Sequence, residues 1–240
     1  RMDVDGKDNQ FLRWDYLEEW EYHADYAPTY YFDLISGRVM SYNNGMPDYT
    51  NYWCWNKHES TEFGLASTEQ MSANRLDQQI IETYERKNLR FQSYYRMDVT
   101  VRGLTKEAYD YLHNMREISD ITGSLFAPSP DDMRGNIVCQ QDTTEFVIGY
   151  ISAVQVEKKR MYIGGGENVF FKPTPLTHLS KAETPLRDLY SMGARPVVDI
   201  PDETAGTVVG WGPEKCINCL FFGGSKNRPE DWPTSNGVEL

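Results

Sequence analysis

The sequence predicts an α+β fold dominated by antiparallel sheet, sandwich or barrel-like, with one clear helix at about residues 105–119 and a loop-rich C-terminal tail. Three patterns predict it. Residues 14–22 carry aromatic side chains at nearly every even position, residues 89–101 alternate apolar with polar side chains, and apolar residues recur every three or four positions from Ala108 to Ile118. Period two marks a half-buried strand, because successive side chains point to opposite faces. Spacing of three and four marks one stripe of a helix.

In the first strand Trp14, Tyr16, Trp20 and Tyr22 share a face with Glu18 in its middle. A carboxylate there sits at a sheet edge, reaching solvent or an arginine, or is buried and needs a partner or a ligand. Trp14, Tyr16, Glu18 and Trp20 are therefore the candidate ligand-binding residues. The pattern leaves open whether this face is core or binding surface. A short helical turn is expected from Thr68 to Leu76. The strand at 89–101 places Leu89, Phe91, Tyr95, Met97, Val99 and Val101 on one face, and its other face offers Arg96 as a partner for Glu18. In the helix, Thr105 is a good N-cap and Glu107 sets negative charge in the first turn. A loop at Pro128–Asp132 follows, then strands at Asn136–Cys139 and Glu145–Ile163. Residues 164–240 hold eight of the 12 prolines, with short strands at Pro196–Ile200 and Thr207–Trp211. They lack the periodicity of a separate core. The expected organisation is one β-rich domain, residues 1–240, with a body at 1–163 and a segment at 164–240 wrapping back on it.

Charge narrows the partners. With 36 acidic and 24 basic residues the net charge is −12. Such a chain repels phosphate backbones and anionic bilayer surfaces, so nucleic acid is not an expected partner. No apolar run approaches the roughly 18 residues of a spanning helix. The chain opens on Arg1 with no apolar leader, which reads as a fragment or mature product whose targeting signal lies upstream.

The four cysteines are Cys54, Cys139, Cys216 and Cys219. Cys216-Ile217-Asn218-Cys219 lacks the second CxxC or histidine pair of a zinc site, and Leu220-Phe221-Phe222-Gly223-Gly224 is a poor helix opening for a thioredoxin-like motif. Structural disulfides in an oxidising compartment account for them best. A bridge inside the CxxC restricts the unfolded chain little, whereas one from the tail to Cys54 or Cys139 closes a long loop. Two long-range disulfides tying tail to body are expected, in either of the two crossings.

Motifs of common catalytic classes are missing: no GxSxG, HExxH, P-loop or GxGxxG is present. His23, His58, His113 and His178 are scattered. Asp3, Asp5, Asp8 and Asn9 around Gly6 lack the remaining ligands of an EF-hand and read as a polar turn. Gly164-Gly165-Gly166 has no neighbouring positive charge and reads as a flexible turn rather than a phosphate cradle. No enzyme activity, metal or cofactor is expected.

Several segments together carry a family resemblance. They are Trp14-Asp15-Tyr16-Leu17-Glu18-Glu19-Trp20, Tyr52-Trp53-Cys54-Trp55, Tyr94–Leu104 with Thr105-Lys106-Glu107-Ala108-Tyr109, and Gly123-Ser124-Leu125-Phe126-Ala127-Pro128. Gly135-Asn136-Ile137, Val147-Ile148-Gly149-Tyr150, the CxxC, Gly223-Gly224-Ser225 and Arg228-Pro229-Glu230-Asp231-Trp232 follow in order. Over about residues 11–232 the chain resembles the domain-of-unknown-function family four-two-four-nine of Bacteroidetes lipoproteins. The tail departs at Leu220, where a charged residue is more familiar, and in residues 233–240. The resemblance brings no catalytic residues. It implies an exported, lipid-anchored protein of the outer membrane and cell surface, with an immunoglobulin-like region and the lipid anchor upstream, membrane contact being through that anchor alone. It implies a TonB-dependent transporter and associated surface lipoproteins as partners. The expected function is non-catalytic binding of a nutrient, such as a glycan or peptide, or of a partner protein. A structural or adhesive surface module and a hydrolase with a dispersed site are the alternatives.

Overall fold

The computed structural model describes residues 2–5, 10–69, 71, 75–85, 87–121, 135–142, 145, 147–164, 171–178 and 185–233. Its strands are β1 (Met2–Asp5), β2 (Phe11–His23), β3 (Tyr30–Asp33), β4 (Arg38–Ser41), β5 (Trp53–Glu59), β6 (Gly64–Ser67), β7 (Arg75–Gln79), β8 (Tyr95–Leu104), β9 (Gln155–Ile163), β10 (Thr177–His178), β11 (Ala194–Asp202) and β12 (Gly206–Pro213). The helices are α1 (Lys106–Ile121) and α2 (Leu186–Ser191). Strand makes up 40% and helix 17%, so the α+β class with mostly antiparallel sheet and one main helix holds. The central sheet runs β5-β2-β8-β9, with β6 also on β2; β10-β12-β11, β1-β7 and β3-β4 form the others. No described helix is long and apolar enough to cross a membrane.

The chain groups into two compact units. One holds Arg1–Leu17, Glu59–Tyr84 and Asp98–Arg160; the other holds Glu18–His58, Glu85–Met97 and Met161–Leu240.

In the first unit, Phe11, Leu104 and Ala108 form a core against which Leu65, Tyr109, Leu112, Tyr150 and Val154 pack. Thr105 caps α1 as its sequence predicts, its Oγ1 accepting from the Ala108 N–H at 3.2 Å. Ala108 and Tyr111 are buried, while Met115 is exposed, so the apolar stripe is shorter than its spacing suggests. Trp14 lies opposite Gly64 in the β2–β6 ladder. A Cβ at Gly64 would fall 2.0 Å from the indole, so glycine makes room for the ring.

Contrary to expectation, no named strand falls among the described residues of 136–154. The Asn136 side chain donates to the Ile151 carbonyl at 2.6 Å and accepts from its N–H at 2.8 Å, so an amide rather than a strand satisfies that backbone. The expected Glu145–Ile163 strand is present as Gln155–Ile163. The expected helical turn at Thr68–Leu76 falls partly outside the described residues, and β7 begins at Arg75. The loop at Pro128–Asp132, residues 6–9 of the polar turn and residues 165–166 of the glycine run also lie outside them.

In the second unit, the strand expected from residue 89 begins at Tyr95. Asn88 Oδ1 accepts from the Arg90 N–H and caps a 3-10 turn at Leu89–Phe91. The proline-rich region builds a sheet of its own, β11 and β12 pairing antiparallel around buried Val197 and Trp211. One long-range disulfide joins Cys54 to Cys219, 165 residues apart. The second expected bridge is absent, since Cys139 and Cys216 are both free thiols. Cys139 lies in the segment that did not become a strand. The buried Cys216 sulfur sits instead beside Gly212, Thr174 and Asp25.

Candidate functional site

Strand β2 turns its even positions inward. Trp14, Glu18 and Trp20 are buried, Glu18 completely. Tyr95, inward-facing on β8, donates its hydroxyl to Glu18 Oε1 at 2.5 Å. Arg90 Nε lies 3.4 Å and His58 Nδ1 3.1 Å from Glu18 Oε2. The Arg90 guanidinium also covers the Trp20 ring at 4.4 Å. The carboxylate is thus a paired internal charge. Arg96 is not its partner. It sits on the opposite face of β8 from Tyr95, pairs with Glu19 and donates to the carbonyls of Glu230 and Asp231. Glu21 accepts from Trp55 Nε1, Trp232 Nε1 and Ser93 Oγ at 2.9–3.2 Å. Of the four candidate residues only Tyr16 borders open space. It lines a recess of about 400 Å³ in the first unit, where Arg13 and Asp15 are neighbours. Its hydroxyl donates to Glu82 at 2.6 Å.

A more ligand-like cleft of about 350 Å³ lies within the second unit. The β3–β4 hairpin forms one wall, held by Thr29 N–H donating to Val197 O at 2.8 Å and Tyr30 Oη donating to Asp199 at 3.1 Å. The hairpin turns sharply because Asp33 accepts from the N–H groups of Ile35 and Ser36, and Gly37 takes φ 68°. Tyr31, Tyr42, Phe32 and Tyr190 give the cleft its rings. Tyr31 meets Tyr42 at 4.9 Å between centroids, and Phe32 meets Tyr190 at 5.3 Å. Tyr31 is 38% exposed, so its ring is open to solvent.

The charged lining is Arg195, Glu214 and Asp48. Arg195 stacks on Tyr190 at 3.9 Å, donates Nη1 to the carbonyls of Tyr190 and Ala194, and pairs Nη2 with Glu214 at 2.9 Å. Asp48 accepts from Thr50 N–H and Oγ1 and has no ion-pair partner among the described residues. Burial first, then the Asp48 carboxylate and the neighbouring Tyr31 and Tyr190, push the Tyr42 hydroxyl above the usual phenol range. Among the described residues no group of three His, Cys, Asp or Glu side chains is placed to hold a metal ion.

None of the cleft residues was a sequence candidate. A signal was present: six of the 16 tyrosines fall between residues 26 and 52, outside any clear alternation. Tyrosines that no periodicity assigns to a core are candidates for a recognition surface.

The family described as Domain of unknown function (DUF4249) matches residues 2–160, more than half of the chain. The chain belongs to the DUF4249 family. No curated protein and no solved structure matches it. The DUF4249 match takes in the hairpin and Asp48 side of the cleft, while Tyr190, Arg195 and Glu214 lie beyond it.

Proposed function

We propose that this chain is the non-catalytic ligand-binding domain of an exported surface lipoprotein. It works beside a TonB-dependent transporter of the outer membrane and captures a nutrient such as a small glycan or peptide. The tyrosine-lined cleft of about 350 Å³ is the observation that carries the reading. Its volume lies in the range of small-molecule sites, and its open Tyr31 ring offers a stacking face. The long-range disulfide suits an oxidising compartment. The transporter, the lipid anchor and the Bacteroidetes setting come from the family resemblance.

Mild extraction of the tagged full-length lipoprotein from its native membrane tests the reading. A TonB-dependent transporter is expected to co-purify, and repeated isolation of the lipoprotein alone would remove the transporter from the proposal. A surface module that only contacts other proteins is the second reading. Exposed Leu220, Phe221 and Phe222 favour it. Serine at all three positions would abolish co-purification under that reading and leave small-ligand binding intact.

A further inference from the structure

The cleft's ring geometry and charge restrict what it can hold. Tyr31 and Tyr42 are tilted by 46°, and Phe32 and Tyr190 by 31°. Tilted rings wall a concave box, whereas the flat face of a sugar stacks best on a coplanar platform. Ring faces are electronegative, and a box of them suits a compact cation. One ring face already carries a cation of the protein itself, Arg195 over Tyr190 at 3.9 Å.

The fixed charges point the same way. Arg195 is held by Glu214 and by two backbone carbonyls, so it offers little to an incoming anion. Asp48 remains as the carboxylate without an ion-pair partner among the described residues, leaving the lining at a net −1 from Asp48, Glu214 and Arg195. The chain as a whole carries −12, which draws cations toward it. Burial is the main cause of the raised Tyr42 hydroxyl, with Asp48 and two neighbouring phenols adding to it, so Asp48 lies close enough to act on the ring.

We infer that this cleft binds an organic cation, an alkylammonium or guanidinium head, seated between the Tyr31 and Tyr42 rings and the Asp48 carboxylate. This rests on the small-ligand reading of the cleft and names the chemistry of the ligand. The head is supplied by a free amine or by a basic side chain of a peptide.

Calorimetric titration of the purified domain tests it with three probes: pentylamine, the tripeptide Gly-Lys-Gly with its N-terminus acetylated and its C-terminus amidated, and the same blocked tripeptide with an acetylated lysine, which carries no charge. The two cationic probes separate a free amine from a peptide side chain, and binding of either supports the inference. Acetylation removes the charge and is expected to weaken tripeptide binding about tenfold or more. Asp48→Asn keeps the Oδ1 acceptor for Thr50 and is expected to weaken cation binding to a similar degree. Tyr31→Leu, on the exposed hairpin wall, is expected to do the same without touching that turn. Glu203→Gln, an exposed acid outside the cleft, is expected to leave affinity unchanged, which separates the site from general attraction to an acidic surface. Equal binding of the acetylated peptide, loss of affinity in Glu203→Gln as large as in Asp48→Asn, or no saturable heat with either cation would overturn the inference. Binding of maltose that Tyr31→Leu abolishes, with no cation binding, would overturn it too and leave nutrient capture standing. Co-purification with the transporter is read independently of all these titrations.

Discussion

Replacing both Cys54 and Cys219 by alanine opens a ring that spans 165 positions of the chain. In the chain-entropy model such a ring restricts the unfolded state by about 17 cal/mol/K, or about 5 kcal/mol at 25 °C. Both cysteines are fully buried, so the missing sulfurs leave small voids that add about 1 kcal/mol. Against this, the surrounding hydrogen bonds survive the change. Cys219 N–H still donates to Asn51 O at 3.0 Å, and the Tyr22 hydroxyl to Cys219 O at 3.0 Å. Native disulfides removed from other proteins cost roughly 2–5 kcal/mol, and a loss of about 4–5 kcal/mol is expected here. The double variant is the right one, because a single replacement would leave a free thiol that an oxidant could couple to the Cys216 thiol in a new bridge. Urea unfolding followed by tryptophan fluorescence reads the effect, since Trp55, Trp211 and Trp232 belong to the same compact unit as the bridge. With a slope of about 3 kcal/mol/M the midpoint falls by about 1.5 M. A loss below about 1 kcal/mol, or a midpoint in wild type that a reductant does not move, would refute the reasoning.

Four further outcomes are expected. Glu18→Ala strips Arg90 and Tyr95 of an internal partner and should cost about 3–5 kcal/mol in urea unfolding; a near-neutral result would place Glu18 in solvent. Gly64→Ala drives a methyl into the Trp14 indole, 2.0 Å away, and should cost about 1–3 kcal/mol, with unchanged stability showing that the ring moves freely. Burial pushes the Cys216 thiol up, so Ellman's reagent at pH 8 should titrate one thiol in native protein, the half-buried Cys139, and a second only after unfolding; two fast thiols would contradict the packing. Burial also raises the phenols of Tyr22, Tyr26, Tyr30 and Tyr42. The unfolded chain loses those protons near pH 10 while the folded chain keeps them, so their stabilising contribution is complete below about pH 10 and is lost as pH rises through the folded values. Absorbance at 295 nm should show a late-titrating class in native protein that vanishes in urea, and a single class in both would contradict the assignment.

The elements read most surely from sequence were those whose signal was local. Trp14, Trp20 and Tyr22 announced β2 through period two, and Thr105 with Glu107 announced the start of α1. Misreadings arose where a polar side chain captured the backbone. Asn88 made a turn from residues that alternate like a strand, and Asn136 clamped Ile151 across a segment rich in β-formers. Proline counting underestimated the tail, because Pro196 and Pro201 sit within β11 without preventing its pairing to β12. The alternation at 89–101 offered Arg96 to Glu18, but Arg96 lies on the face of β8 opposite Tyr95 and pairs with Glu19, and Arg90, off the strand, reaches Glu18 instead. The cleft was illegible because Tyr31, Asp48, Tyr190 and Glu214 meet only after the chain has folded. Loop length led to two expected bridges and one formed, because loop length says nothing of which sulfurs come near each other.

Strand β2 also bears on the order in which the chain can fold. The groups that satisfy it lie far downstream in the chain. Tyr22 waits for Cys219, 197 residues on, and Glu21 for Trp232, 211 residues on. Contacts of such separation make folding slow and leave the early segment with aromatic side chains and carboxylates uncovered in the meantime. A chain cut at residue 215 would retain all of β2 and β5 but lack Cys219, the Glu21-capping Trp232 and the carbonyls that hold Arg96. The strand most legible in the sequence thus stays uncovered until residues 219–232 close over it, a window in which exposed aromatic side chains favour aggregation.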